Sequence, residues 1–367
     1  MFWHYRPLSP QLSLQLESLR GWSAILVLFS HCFQAFIGPL DQTLYSGVRL
    51  LGQAAVMMFF VLSGYLIGHS IRHNIHRHRQ FSGLAYSRQR CQRILGPFLF
   101  AMLLTLLLYA LAPYFFASGS HNIEASQSFM IRHSYDISAA DFLGSLFFVN
   151  GFVTPTVSAN AALWSLSYEV WFYVLAGCLV TFRPGSILLF LTLLLGLSLL
   201  NIQFLIYFLV WLLAFAFAFA SPAWSKQIPA AQLHYFKSGF LLLAVLIALF
   251  DAYQFHSIYL AQYYTGENFR LFNLCIGIAA ACWLLQLARG ERQIQVIWPA
   301  SAQFSYTLYI THFPLLIFIL GCFPFTLQHG LGVALLSLII TMAVLIGFAW
   351  LVAQKLEPPS RIERHLS

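Results

Sequence analysis

The sequence predicts an all-α, polytopic integral membrane protein of about ten transmembrane helices, with both termini in the cytoplasm. Three observations carry this expectation. Hydrophobic residues make up 60% of the 367 residues and charged residues only 8%, against roughly 25% charged in ordinary soluble domains. The apolar residues fall in continuous runs of about 20, the length of a spanning helix rather than of a barrel strand. The basic residues gather in the segments between runs that one side of a membrane would share.

The runs place spans near 18–38, 47–68, 95–116, 161–181, 186–202, 204–220, 237–254, 271–289, 303–323 and 331–353. The fifth and sixth are nearly continuous and are divided near Asn201. A further apolar piece, 142–153, is too short to cross a core of about 30 Å and reads as re-entrant or interfacial. One membrane-embedded domain then covers 1–367. Its polar parts are an N-terminus at 1–17, a basic loop at 69–94, an opposite-side loop at 117–160 and a tail at 354–367.

Charge orients this arrangement. With the N-terminus in the cytoplasm, Arg6, Arg72, Arg77, Arg79, Arg88, Arg90, Arg93, Arg183, Lys226, Lys237, Arg289, Arg292, Lys355, Arg361 and Arg364 lie inside. Only Arg49, Arg132 and Arg270 lie outside, and Arg20 marks the inner boundary, which accounts for all 19 basic residues. That asymmetry is the positive-inside rule. It also explains the net charge of +8 without a nucleic-acid partner. No cleavable signal peptide precedes the first run. The six cysteines form no CxxC pair and read as small packing residues.

Ionisable groups inside a span are costly and usually face a polar cavity. His31, Glu169 and His312 are such groups. At 1.5 Å per residue, each lies about 12–16 Å from the end of its own span, so the three can meet near the midplane. Arg20 and His31 are eleven residues apart. Eleven steps of 100° leave a remainder of about 20°, so both project from one helix face, Arg20 at the cytoplasmic mouth. A neutral imidazole can take a proton near neutral pH, and Glu169 is the carboxylate expected to orient it. Structural readings stand beside these: a snorkelling Arg20, histidines bonded between helices, and Ser305, Tyr309 and His312 as one stripe of interhelical hydrogen-bond glue.

The stretch from His69 to Arg93 carries six arginines, four histidines and no acid. It suits anionic lipid headgroups, or the phosphates of a cytosolic ligand. Arg90 and Arg93, one turn apart, have the spacing of a phosphate clamp. His73, His76 and His78 lack acidic or thiolate companions, so no metal is expected.

Five stretches, in order, resemble the membrane-bound acyltransferase type 3 family over essentially the whole chain. They are Leu19-Arg20-Gly21 with His31 following after ten intervening residues from the arginine; Phe59-Phe60-Val61-Leu62-Ser63-Gly64-Tyr65; Arg90-Cys91-Gln92-Arg93; Leu163-Trp164-Ser165-Leu166-Ser167-Tyr168-Glu169; and Ser305-Tyr306-Thr307-Leu308-Tyr309 through His312-Phe313-Pro314. Two departures are Gly96 where an aromatic commonly precedes the proline, and Val170 where a second glutamate often follows.

The resemblance implies a stand-alone O-acyltransferase of a bacterial inner membrane, without an attached periplasmic esterase-like domain. It would move an acyl group, usually acetyl, from cytoplasmic acetyl-CoA to an envelope polysaccharide or lipid-linked glycan. Arg20, Ser63, Gly64, Arg90 and Arg93 are then expected at the donor, with Gly64 letting the pantetheine arm approach helix backbone. His31 is expected to act as general base or transient acyl carrier, with Glu169 as its partner. Trp164, Ser167, Tyr309 and His312 are expected near the acceptor. The rival expectation from the residues alone is a proton-coupled transporter or flippase; a scaffold for polysaccharide assembly would explain the spans but not the five stretches.

Overall fold

The computed structural model describes residues 7–124, 131–219, 227–257 and 267–357. Arg6, Lys226, Arg361 and Arg364, which entered the charge count, lie outside the described residues. Among the described residues the chain is helical, and two isolated bridges, Asn122 with Ser134 and Asn150 with Thr154, are its only sheet-like pairing. The helices are α1 (Pro10–Phe36), α2 (Tyr45–His78), α3 (Gly83–Phe115), α4 (Ala139–Leu146), α5 (Trp164–Thr181), α6 (Pro184–Leu200), α7 (Ile202–Phe219), α8 (Ala230–Ser257), α9 (Glu267–Ala288), α10 (Ser305–Cys322) and α11 (Leu331–Leu356).

Among the described residues, eight helical segments are long and apolar enough to cross a membrane: those of α2, α3, α5, α7, α8, α9, α10 and α11. The first and fifth expected spans also fold as helices. α1 is 27 residues long but begins in the polar stretch around Glu17 and Arg20, and α6 has 17 residues, about 25 Å of rise. The break between α6 and α7 falls at Asn201, whose backbone is extended. Its side chain accepts from the Gln203 N–H at 3.0 Å and donates to the Tyr168 hydroxyl at 2.6 Å, which satisfies the helix start locally.

The 69–94 segment differs from the expected loop. α2 runs on through the arginines and histidines to His78, and α3 starts at Gly83. Only a short turn intervenes, with Arg79 at φ 63°. Arginine is a good helix former, and no glycine or proline interrupts the stretch before Gly83. The basic charge is therefore displayed on two helix ends.

The chain forms two compact units. One comprises Met1–Arg20, Gln53–Arg90 and Tyr168–Pro299; the other comprises Gly21–Gly52, Cys91–Ser167 and Ala300–Ser367. In the first, α9 packs on α8 and α7, and α6 packs on α7. Phe60, Phe172, Phe204, Phe208 and Trp211 fill its interior, with Phe172 5.4 Å from Phe60 and 5.6 Å from Trp211 between ring centroids. Gly64 and Gly68 lie four residues apart on α2 and face the α7 backbone. A Cβ on Gly64 would strike the Trp211 carbonyl, and one on Gly68 would come within 2.9 Å of the Phe215 carbonyl. Small residues let helices approach in this way where lipid offers no hydrophobic drive to association.

In the second unit α10 packs against α11 and against the 3₁₀ turn Ser158–Leu163. The Glu357 carboxylate, just beyond α11, accepts from the Thr307 N–H at 2.9 Å and the Thr307 hydroxyl at 2.7 Å. It thereby puts negative charge on the open N–H groups of the first turn of α10. Two prolines inside helices leave carbonyls without a backbone donor, because proline at position i removes the N–H that would bond i−4. Pro314 frees Ile310 O, which accepts from Asn160 Nδ2–H at 2.9 Å. Pro113 frees Tyr109 O, which accepts from His121 Nε2–H at 3.1 Å.

Candidate functional site

α1 and α10 bring His31 and His312 together within the second unit. His31 Nδ1 and His312 Nε2 are 2.8 Å apart, and His312 Nδ1 is 3.0 Å from the Leu308 carbonyl. A carbonyl only accepts, so His312 Nδ1 carries a proton. In a neutral ring Nε2 is then the acceptor, and it takes the Nδ1–H of His31. This leaves the lone pair of His31 on Nε2. The rings are inclined by 10° with centroids 5.1 Å apart. An in-line N–H···N bond adds about 1.1 Å from each nitrogen to its own centroid, so the imidazoles lie edge to edge and nearly coplanar. His312 is buried, at 1% exposure, whereas His31 is half-buried.

The surroundings fix this pair. Phe313 meets the His31 ring in a T-shaped contact with centroids 5.2 Å apart, and the Arg132 guanidinium lies 5.3 Å over the Phe313 ring. The Tyr309 and Ser165 hydroxyls are 2.7 Å apart, which ties α10 to α5 one turn before His312. Ser167 donates to Asn150 Oδ1, and Asn150 Nδ2 reaches the Thr156 hydroxyl at 3.1 Å. Trp164 is the first residue of α5 and is half-buried. The expected acceptor-side residues Tyr309 and Ser167 are thus spent on hydrogen bonds that shape the unit.

Glu169 belongs to the other unit and has other partners. Its Oε1 accepts from the Ser63 hydroxyl at 2.7 Å and from the Tyr173 hydroxyl, and Trp211 Nε1–H donates to Ser63 Oγ at 3.2 Å. Within its own unit each group is held separately: the imidazole of His312 orients His31, and hydroxyls occupy the carboxylate of Glu169. Beside Gly64 the carbonyl of Trp211 fills the space that a Cβ would need, so the missing Cβ serves the packing of α2 on α7.

The two arginines of the expected clamp also differ. Arg90 is 9% exposed; its guanidinium lies 5.9 Å from both the Tyr86 and Tyr173 ring centroids and donates to Ser70 Oγ at 3.2 Å. Arg93 is half-buried, and Cys91 between them is exposed. Their sequence spacing suggested two equivalent side chains; Arg90 is instead turned into aromatic packing. Arg20 sits half-buried on α1.

Several residues that shape the site were not singled out from the sequence. Tyr173 had a local signal, since it is four residues from Glu169 on one helix face. Asn160 had half a signal: Pro314 announced an orphan carbonyl but not its donor. Trp211 and Arg132 had none, because their partners are far away in sequence.

A family model described as an acyltransferase domain matches residues 13–353. No curated protein and no solved structure was found to match the chain. The matched span takes in most of α1, all of α2 to α10 and nearly all of α11, with both polar clusters inside it. With its apolar spanning helices and that match over nearly its whole length, the chain belongs to the acyltransferase type 3 family and is a multi-pass membrane acyltransferase.

Proposed function

We propose that the chain transfers an acetyl group from cytoplasmic acetyl-CoA to a hydroxyl of an envelope polysaccharide or lipid-linked glycan, in a bacterial inner membrane, with His31 Nε2 as the reacting base. The observation that carries this reading is the directed chain from the Leu308 carbonyl through His312 to His31. It prescribes one tautomer and leaves one lone pair for chemistry.

Nε2 removes the proton of the acceptor hydroxyl as its oxygen attacks the thioester carbonyl. The resulting imidazolium keeps its Nδ1–H on His312. When the tetrahedral adduct collapses, the carbon–sulfur bond breaks, and the CoA thiolate takes the proton back from Nε2. The same lone pair could first attack the thioester and carry the acetyl group itself; both routes need the tautomer that His312 imposes. Arginines of the 69–94 segment are assigned to the donor's phosphates and to anionic lipid, and Arg20 to the cytoplasmic mouth. The charge asymmetry supports ten spans with both termini inside.

The test is acetyl transfer itself. Envelope glycans from cells with and without the gene, compared by mass spectrometry, should differ by O-acetyl groups, and the purified protein should bind acetyl-CoA in detergent. Binding without gene-dependent acetylation would discard the acceptor class. Absence of CoA binding would discard the donor and leave a transport role to be tested. For sidedness, a cysteine at the exposed Ser138 should react with an impermeant thiol reagent from outside the membrane in a background without native cysteines, and one at the exposed Ser87 should not.

A further inference from the structure

The proposed acceptor side carries a cation whose surroundings are apolar or neutral. Arg132 is half-buried. Its Nε–H donates to the Ser158 carbonyl at 3.2 Å, its Nη1–H donates to its neighbour's carbonyl, Ile131 O, at 2.7 Å, and its plane covers Phe313. Burial pulls its pKa down, with the Tyr45 hydroxyl opposing that effect. The ion pair of Arg289 with Glu291 lies far along the chain from it. The nearest acid in sequence, Asp136, is exposed and accepts from Ser134.

A guanidinium has five donors in a flat fork. Two of its nitrogens here are committed to backbone carbonyls, which fixes the plane of the fork and leaves Nη2. Setting a charge against an aromatic face with no carboxylate costs desolvation that neutral carbonyls offset only in part. The position makes that cost informative. Phe313 contacts both Arg132 and His31, so the cation and the candidate base share one aromatic neighbour.

We infer that Arg132 is the anchor of an anion-binding subsite beside His31, and that the acceptor carries a carboxylate or phosphate close to the hydroxyl that is acetylated. This rests on the acetyl-transfer reading above and narrows its substrate class. A uronic acid residue and the phosphate of a lipid-linked glycan share this oxyanion chemistry, which Nη2–H matches directly. Cation and imidazole held against one phenyl ring would set the spacing between the anionic group and the reacting hydroxyl.

The experiment compares methyl β-glucuronide, methyl β-glucoside and methyl phosphate as ligands of the full-length protein in detergent, read by ligand-dependent thermal stability. Acetyl-CoA is titrated in the same preparation. The glucuronide or the methyl phosphate should bind about tenfold or more tighter than the neutral glucoside, as expected for a hydrogen bond to a charged group. Arg132→Gln should abolish that preference, and Arg132→Lys should retain part of it. The better of the two anions identifies a uronate or a lipid phosphate as the source. A purely structural Arg132 would lower stability in the variants without moving the ratio of anionic to neutral ligand. Equal response to charged and neutral ligands in the unmodified protein, including no response to either, overturns the inference, as does a preference that survives Arg132→Gln. Acetyl-CoA binding that persists in those cases leaves the acetyl-transfer reading standing, and its absence removes that reading separately.

Discussion

The two polar clusters inside the helical units are built from similar materials and end differently. Around His31 the hydrogen bonds run one way, from His31 to His312 to the Leu308 carbonyl. Each group donates once, and the chain terminates in an unprotonated nitrogen. Around Glu169 the bonds converge: Ser63 and Tyr173 both give their protons to one carboxylate oxygen, and Trp211 backs Ser63. A directed chain leaves reactivity at its open end, whereas a convergent one spends it. Both carry ionisable groups inside apolar helices, so burial alone does not separate chemistry from glue; the direction of the donors does.

The sharpest way to break this contrast is to remove the open end. His31→Ala should fold and bind acetyl-CoA, yet lose about 10²–10⁴-fold in transfer, the usual contribution of a general base. A well-folded variant keeping half its activity would move the chemistry elsewhere. His312→Ala should cost less, about 10–10³-fold, because His31 survives but its tautomer is no longer imposed. His312→Gln offers a carbonyl oxygen to the His31 Nδ1–H and should recover part of that loss. A purely structural histidine would show no such rescue, and the pH dependence of transfer would not shift between the two variants.

Much of this was legible in the amino-acid sequence, but not all for the same reason. Eight apolar spanning helices among the described residues were, because a membrane demands continuous apolar runs. The break at Asn201 was, because a polar residue interrupts such a run. His31 and His312 stood out because burial in lipid makes them conspicuous. Which of the three midplane groups pair was not legible: depth along a helix gives one coordinate, whereas a 2.8 Å bond needs the helix rotation and the neighbour as well. The same gap holds at Gly64, where a missing Cβ signals close approach but not what approaches. It holds at Arg90 too, whose aromatic neighbours are 4 and 83 residues away in the chain.

The convergent cluster should answer mutation through stability instead of rate. Glu169→Gln keeps an acceptor for Ser63 and Tyr173, so transfer per folded molecule should stay near that of the unmodified protein. Glu169→Ala removes the charged acceptor that the Ser63 and Tyr173 hydroxyls share and should cost about 1–3 kcal/mol in a detergent unfolding measurement. If Glu169→Gln lost transfer as completely as His31→Ala, the carboxylate would belong to the chemistry and the two clusters would no longer differ in kind.

The smallest expected effect tests how the directed chain is held. α10 carries His312 two residues before Pro314, and Ile310 O would be orphaned without Asn160. Asn160 is fully buried, with non-helical φ and ψ of −136° and 63°, and its Nδ2 also lies 3.3 Å from Thr105 Oγ1. Asn160→Ala should therefore destabilise by about 1–3 kcal/mol, mainly through the unpaired carbonyl. Pro314→Ala restores a backbone N–H four residues after Ile310, so it supplies the donor that Asn160 otherwise provides. The two changes together should cost less than the sum of the changes made singly, with a coupling of about 1 kcal/mol in a double-mutant cycle. Strict additivity would show that Asn160 acts on its own loop rather than on α10. Coupling accompanied by a loss of transfer in Asn160→Ala, recovered in the double variant, would show that the side chain positions the base pair through the helix it repairs.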